Sequence, residues 1–238
     1  MQMASHPVRW ALLTDLAAGD HRVRELAAAI DEPQNLVSYH LRLLRSAGLI
    51  DARRSNFDAR DTYYHLNLTS CAAEFASAAT ALHPALAPQP KDVPNVRSGA
   101  RSVLFLCSGN SARSPMAEAL LRKKGGGRIR AASAGSHPKP QLHPNAVRIM
   151  RDQYGIDLSG SRPQPLAAVA LRRFDCVITL CDKVREYAHH HGVATAMHWS
   201  LPDPSAAAGR ASYPEFRRVA SELNDRIEFL LPVLARER

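Results

Sequence analysis

The chain has 238 residues, more than one average domain of roughly 100–150 residues, and its composition, 45% hydrophobic and 22% charged, excludes a disordered, collagenous or disulfide-stapled chain. Lys and Arg number 31 against 22 Asp and Glu, a formal net charge of +9, which by itself points to nucleic acid. The excess sits elsewhere than that reading needs, because residues 1–83 hold 8 Arg, no Lys and 9 acids whereas residues 100–238 hold 21 bases and 12 acids. No run approaches the ~18 apolar residues of a membrane helix, and the start, MQMASHPVRW, lacks the layout of a signal peptide. The expectation is a cytoplasmic protein with no membrane partner. Four unevenly spaced cysteines, Cys71, Cys107, Cys176 and Cys181, read as free thiols in a reducing compartment.

Helical spacing appears in Val8, Leu12, Leu13 and Leu16, then in Val23, Leu26, Ala27 and Ile30, then in Leu36, Val37, Leu41 and Leu44. Gly19-Asp20 and Asp31-Glu32-Pro33 punctuate these runs. After Gly48, residues 49–54 and 62–68 are strand-like around a polar tip at 55–61. Helix, helix, turn, helix and hairpin is the order of a winged helix-turn-helix, whose recognition helix enters the major groove while the wing lies on phosphate. On that reading Gln34, Asn35, Ser38, Tyr39, His40 and Arg42 present polar groups to base edges, and Arg45, Arg53, Arg54 and Arg60 meet phosphate. Residues 34–64 hold 5 Arg against 3 acids, so a near-neutral domain still has a basic side.

The stretch VRELAAAIDEPQNLVSYHLRLLRSAGLIDARR (23–54) with TYYHL (62–66) resembles the ArsR/SmtB family of small repressors. That resemblance implies operator DNA as partner and a homodimer through the first helix and the apolar helix at 70–82, an arrangement suited to a palindromic operator. Cys71 is then expected at the interface. Metal-sensing members carry a Cys-x-Cys pair where this chain has Leu26-Ala27-Ala28-Ala29, so no soft-metal site is expected; His189, His190 and His191 read as solvated surface.

Prolines at 84, 88, 90 and 94 rule out a helix or a central strand across 84–100, and that segment is taken as the linker between a domain at 1–83 and one at 101–238. The second opens on Ser102-Val-Leu-Phe-Leu106, a run suited to a buried parallel strand, then Cys107-Ser108-Gly109-Asn110-Ser111-Ala112-Arg113-Ser114-Pro115 and a helix at 116–124. Ser114 suits an N-cap and Pro115 a first helical position. In such a strand-loop-helix, loop amides and the helix N-terminus surround a tetrahedral oxyanion and Arg113 clamps two of its oxygens. The same field favours a thiolate at Cys107 near neutral pH. Gly109 and Asn110 suit unusual backbone angles.

VLFLCSGNSARSPMAEALL (103–121), AASAGS (131–136), FDCVITLCDKVRE (174–186), HWSLPDPSAAAG (198–209) and the terminal helix from Phe216 resemble the low-molecular-weight tyrosine phosphatases and the arsenate reductases of the same fold. The resemblance implies a flavodoxin-like α/β fold with four parallel strands, near 101–106, 128–133, 174–180 and 194–198. It makes Cys107 the nucleophile, Arg113 the oxyanion clamp, Asn110 and Ser114 loop-ordering residues and Asp203 the general acid; as a bare residue, Asp203 reads equally as a turn between prolines. Ala112 and Ser205 stand where phosphatases commonly have a second loop Cys and a ring-gripping aromatic. Ile178-Thr179-Leu180-Cys181-Asp182 resembles the reductase segment whose Cys resolves a Cys-arsenate adduct, although Cys181 also reads as a small hydrophobe. Thioredoxin-coupled members have a third Cys where this chain has Ala188, and Cys176 reads as core.

The whole implies an arsenic-responsive DNA-binding regulator fused to a thiol-dependent arsenate reductase, with Cys107 as nucleophile and Cys181 as resolving thiol. Its substrate is arsenate, phosphate or a phosphoprotein. It binds no cofactor and no metal, and takes electrons from an external thiol such as thioredoxin or mycothiol if it is a reductase. A phosphatase tethered to DNA and a non-catalytic oxyanion sensor are the alternatives.

Overall fold

The computed structural model describes residues 5–88, 101–169, 172–206 and 212–235, and the chain divides into two compact units, Met1–Asp92 and Val93–Arg238. The part of the expected linker at 89–100 lies outside the described residues, and Pro84–Leu86 forms a short 3-10 turn.

In the first unit α1 (Pro7–Leu16) starts with Pro7 and a His6 cap, followed by β1 (His21–Arg22), α2 (Val23–Ala29), α3 (Gln34–Ser46), β2 (Ile50–Arg54), β3 (Thr62–Leu66) and α4 (Leu68–Leu82). Gly48 ends α3 at φ +70°, with Leu49 N–H on Leu44 O at 3.1 Å and Gly48 N–H on Arg45 O at 3.0 Å. This is the Schellman arrangement that a left-handed glycine permits. The wing is an antiparallel sheet in the order β1-β3-β2, with Ile50 opposite Leu66 and Arg54 opposite Thr62. β1 is a strand the sequence reading missed, since His21-Arg22 carries no alternating pattern. Leu12, Leu16, Leu26, Val37, Leu41 and Leu44 make the core, while Leu36, expected there, is only half-buried.

The second unit is a four-stranded parallel sheet in the order β5-β4-β6-β7, built from β4 (Arg101–Cys107), β5 (Ile129–Gly135), β6 (Cys176–Thr179) and β7 (Met197–His198). Its helices are α5 (Arg113–Gly125), α6 (Pro144–Tyr154), α7 (Asp182–His190) and α8 (Ser212–Ala235), the last packing on α5 and α6. The last strand is two residues long where the sequence suggested five. The central β4 is buried from Ser102 to Cys107, as a strand covered by helices on both faces must be. Chain order reverses between β4 and β6, and in such a sheet ligands bind outside the carboxyl ends of the strands at that reversal. Cys107 ends β4, and Cys181 follows β6 by two residues.

Candidate functional sites

The loop after β4 is shaped from outside by the segment after β5. His137 N–H donates to Ser108 O at 2.8 Å, Lys139 N–H to Gly109 O at 2.9 Å and His143 N–H to Ser111 O at 2.8 Å. A planar trans peptide points its N–H opposite its C=O, and no peptide bond here is cis. The amides of Gly109, Asn110 and Ala112 therefore turn to the concave side, forming an anion nest. Gly135 lets the loop come this close, since a Cβ there would lie 2.7 Å from Ser108 O.

Asn110 sits at φ +45° and is fully buried. Its Oδ1 accepts from the Gln164 amide at 2.6 Å, which fixes the side-chain amide so that Nδ2 donates to Ser114 Oγ and Ser133 Oγ, both at 2.9 Å. Ser114 Oγ also lies 3.0 Å from Cys107 Sγ, within hydrogen-bonding distance of the sulfur. Ser114 is therefore not an N-cap. The helix begins at Arg113 with Ala112 as its N-cap, and the hydroxyl is committed to the sulfur. Ser133, Gly135 and Gln164 were missed as functional positions; the AASAGS match carried the only signal for the first two.

Arg113 is buried, donates to Leu201 O at 3.1 Å and lies 3.3 Å from Asp203 Oδ2. Burial pushes the Asp203 carboxyl up, but the Arg113 guanidinium and the Ser205 hydrogen bonds outweigh it and hold the group below its ordinary value. The expected general acid is thus held as carboxylate. Burial likewise pushes the Cys107 thiol up, and although Arg113 and Ser114 pull it down, Cys181 adds to the rise and the net direction is upward. Burial of the sulfur therefore opposes the thiolate expected near neutral pH, while the Arg113 guanidinium and Ser114 favour it.

Cys181 is buried, and its sulfur lies 3.4 Å from Ser108 Oγ. Cys107 and Cys181 both lie near enough to Arg113 that either sulfur, when ionised, would favour its charged form. Cys176 is a buried strand residue whose thiol burial pushes up to about 11. Ala188 is buried in α7. Among the described residues no cluster of three or more His, Cys, Asp or Glu is placed to hold a metal, and no helix is long and apolar enough to cross a membrane.

On α3, Gln34, Asn35, Tyr39, Arg42 and Arg45 are exposed and Ser38 is half-buried. His40 is a correction. It is 4% exposed, and its ring packs at 4.5 Å from that of His6, because position 40 falls three residues after Val37 and four before Leu44, on the core face. On the wing, Arg53 is half-buried, Arg54 donates to Ala59 O, and Arg60 pairs with Asp58 at 2.8 Å. Cys71 is also corrected, from interface to monomer core; its Sγ lies 3.4 Å from Leu49 O.

The fold and this loop define a parallel α/β domain that presents a cysteine and an arginine to a tetrahedral oxyanion, preceded by a helix-turn-helix domain. A family model described as low molecular weight phosphotyrosine protein phosphatase matches residues 102–238, and a helix-turn-helix domain model matches residues 4–53. The chain belongs to the low molecular weight phosphotyrosine protein phosphatase family. It is 37% identical over 131 residues to an arsenate reductase of Brevibacillus brevis, an alignment spanning 54% of this chain and 92% of that protein. It is 36% identical over 131 residues to one of Bacillus anthracis, with the same two coverages, 54% and 92%. A solved tyrosine phosphatase of Erwinia amylovora superposes with a TM-score of 0.50 at 21% identity, over 59% of this chain and 97% of that one, a likeness of fold.

Proposed function

We propose that the chain is an arsenic-responsive DNA-binding regulator of ArsR type, residues 1–83, joined by a linker at 84–100 to a thiol-dependent arsenate reductase, residues 101–238. The observation that carries the enzymatic part is that Cys181 Sγ lies 3.4 Å from the hydroxyl of Ser108, the residue that follows Cys107 in the loop. The names of the matched relatives point the same way.

In the proposed reaction the loop amides and Arg113 hold the arsenate oxygens while Cys107 Sγ attacks arsenic. One arsenate hydroxyl leaves as water with the thiol proton, so no resident thiolate is required. Cys181 Sγ then attacks Cys107 Sγ, the sulfur–sulfur bond forms, the electron pair of the sulfur–arsenic bond remains on arsenic, and the Cys181 thiol proton passes to an oxygen of the departing arsenite. Two equivalents of an external thiol restore the cysteines, since Ala188 offers no third thiol.

For the first unit, the exposed polar face of α3 supports operator binding. Trp10 and Phe75, 54% and 40% exposed and edge to face at 6.1 Å, form an apolar face that suits a homodimer through α1 and α4. A cytoplasmic location agrees with four free thiols.

The test is arsenate turnover by wild type, Cys107→Ser and Cys181→Ser with a thiol donor. Loss in both variants is expected. Full activity of Cys181→Ser would refute the two-thiol route, and aryl phosphate hydrolysis without arsenate turnover would favour the phosphatase.

A further inference from the structure

The parts already assigned leave one deeply buried polar cluster without a role. His198, at the end of β7, is 5% exposed, Asp182 1% and Thr179 fully buried. The ring spans the other two: Nε2–H donates to Asp182 Oδ1 at 3.1 Å, and Nδ1 shares a hydrogen bond with Thr179 Oγ1 at 2.8 Å. Thr179 and Asp182 bracket Leu180-Cys181, where β6 gives way to α7. Cys181 itself is extended, at φ −158° and ψ 153°, and makes no side-chain capping bond to its helix. Beside its 3.4 Å contact with Ser108 Oγ, its sulfur is aimed by the backbone on either side of it, and one imidazole from the neighbouring strand holds both sides.

We propose that His198, clamped between Thr179 and Asp182, is a positioning residue that holds Cys181 against Cys107 for disulfide formation. The proposal rests on the two-thiol reading above. A buried carboxylate and imidazole are costly unless hydrogen-bonded to each other, and once bonded they restrict the segment that carries them. Small errors of placement translate into large losses of effective concentration between two groups that must react.

Closing the disulfide removes one proton and one electron from each thiol. In arsenate reduction both electrons pass to arsenic; with oxidised dithiothreitol as acceptor they open its ring disulfide to the dithiol. The test uses the full chain equilibrated with oxidised and reduced dithiothreitol, with the Cys107–Cys181 linkage mapped by mass spectrometry after alkylation. His198→Ala and Asp182→Ala are expected to lower the equilibrium constant at least about tenfold. Asp182→Asn, which keeps an acceptor oxygen for Nε2–H, is expected to stay near wild type. Alkylation of Cys107 by iodoacetamide, and its protection by inorganic phosphate, should be the same in all of them. An unchanged constant in a His198→Ala chain that retains its wild-type circular dichroism overturns the proposal. So does loss of phosphate protection, which would reveal a general collapse of the loop. If His198→Ala fails to fold, Thr179→Val removes only the hydroxyl and must still lower the constant; no shift overturns the proposal. A wild-type chain that forms no such disulfide overturns the two-thiol reading as well, whereas a normal wild type with indifferent variants overturns the positioning role alone.

Discussion

Asn110 and Ser114 are joined by a 2.9 Å hydrogen bond in which the amide donates, and Ser114 Oγ in turn lies 3.0 Å from Cys107 Sγ. We propose that Asn110 thereby orders the Ser114 hydroxyl beside Cys107; it is held in turn by the backbone of Gln164. Asn110→Ala removes the donor to two hydroxyls and takes the acceptor from the Gln164 amide. A stability loss of about 1–3 kcal/mol is expected. Turnover of whichever oxyanion the enzyme accepts should fall about 10–100-fold, equivalent to about 1.4–2.7 kcal/mol of barrier. Steady-state kinetics beside a denaturant melt checks both; unchanged kcat/KM in a folded Asn110→Ala chain removes the orienting role.

Gly135 supplies a second prediction. A methyl group there meets Ser108 O at 2.7 Å and Asn110 Cβ at 3.0 Å, backbone and short side chain that cannot swing aside. Gly135→Ala should push the loop outward, cost about 1–3 kcal/mol as an overpacked site does, and weaken phosphate protection of Cys107 against alkylation. Gly160, which has no neighbour within 4 Å of an added Cβ, is the control; Gly160→Ala should leave protection intact.

The legible parts of the site are those encoded by local pattern. The apolar run 102–106, the Cys107-to-Arg113 spacing and the following helix lie in one contiguous stretch, so the strand, loop and clamp could be read directly. Ser133 and Gln164 could not, because they reach Asn110 from 23 and 54 residues away. Cys107 shows a related divide: the loop's favourable field is written in the sequence, but the depth of burial opposing it is a property of the packed unit. His40 differs. Its place on the core face follows from its spacing to Val37 and Leu44, and only its polarity argued for the other side.

The first unit's polar face makes a divided prediction. Arg42 and Arg45 are exposed on α3 whereas His40 is packed beneath it. Arg42→Ala and Arg45→Ala should each weaken DNA binding across sequences and reduce the slope of log K against log salt by about 0.9 for each phosphate no longer neutralised. His40→Phe should leave that slope unchanged, since it takes no cation away from the DNA. Titrations of affinity at several salt concentrations distinguish the two classes, and a slope altered by His40→Phe would return that residue to the DNA face.

The same residue sets a pH dependence. Burial lowers the His40 pKa from 6.5, and the nearby His6 and Arg9 lower it further. A base whose folded-state pKa lies below its unfolded value binds fewer protons when folded, so stability rises with pH across the interval between them. The contribution is complete above 6.5 and is lost progressively as pH falls below that value toward the folded-state pKa. His143, in the second unit, is lowered as well, chiefly by burial, so a whole-chain melt would mix the two effects. Hydrogen exchange resolved by segment separates them. Amides of α1 and α3 should lose protection as pH drops from 7 to 5, after correction for the intrinsic exchange rate, and His40→Phe should flatten that loss while leaving the response of α6 in place. Equal acid sensitivity of α1 and α3 with and without the imidazole would assign the effect to another group.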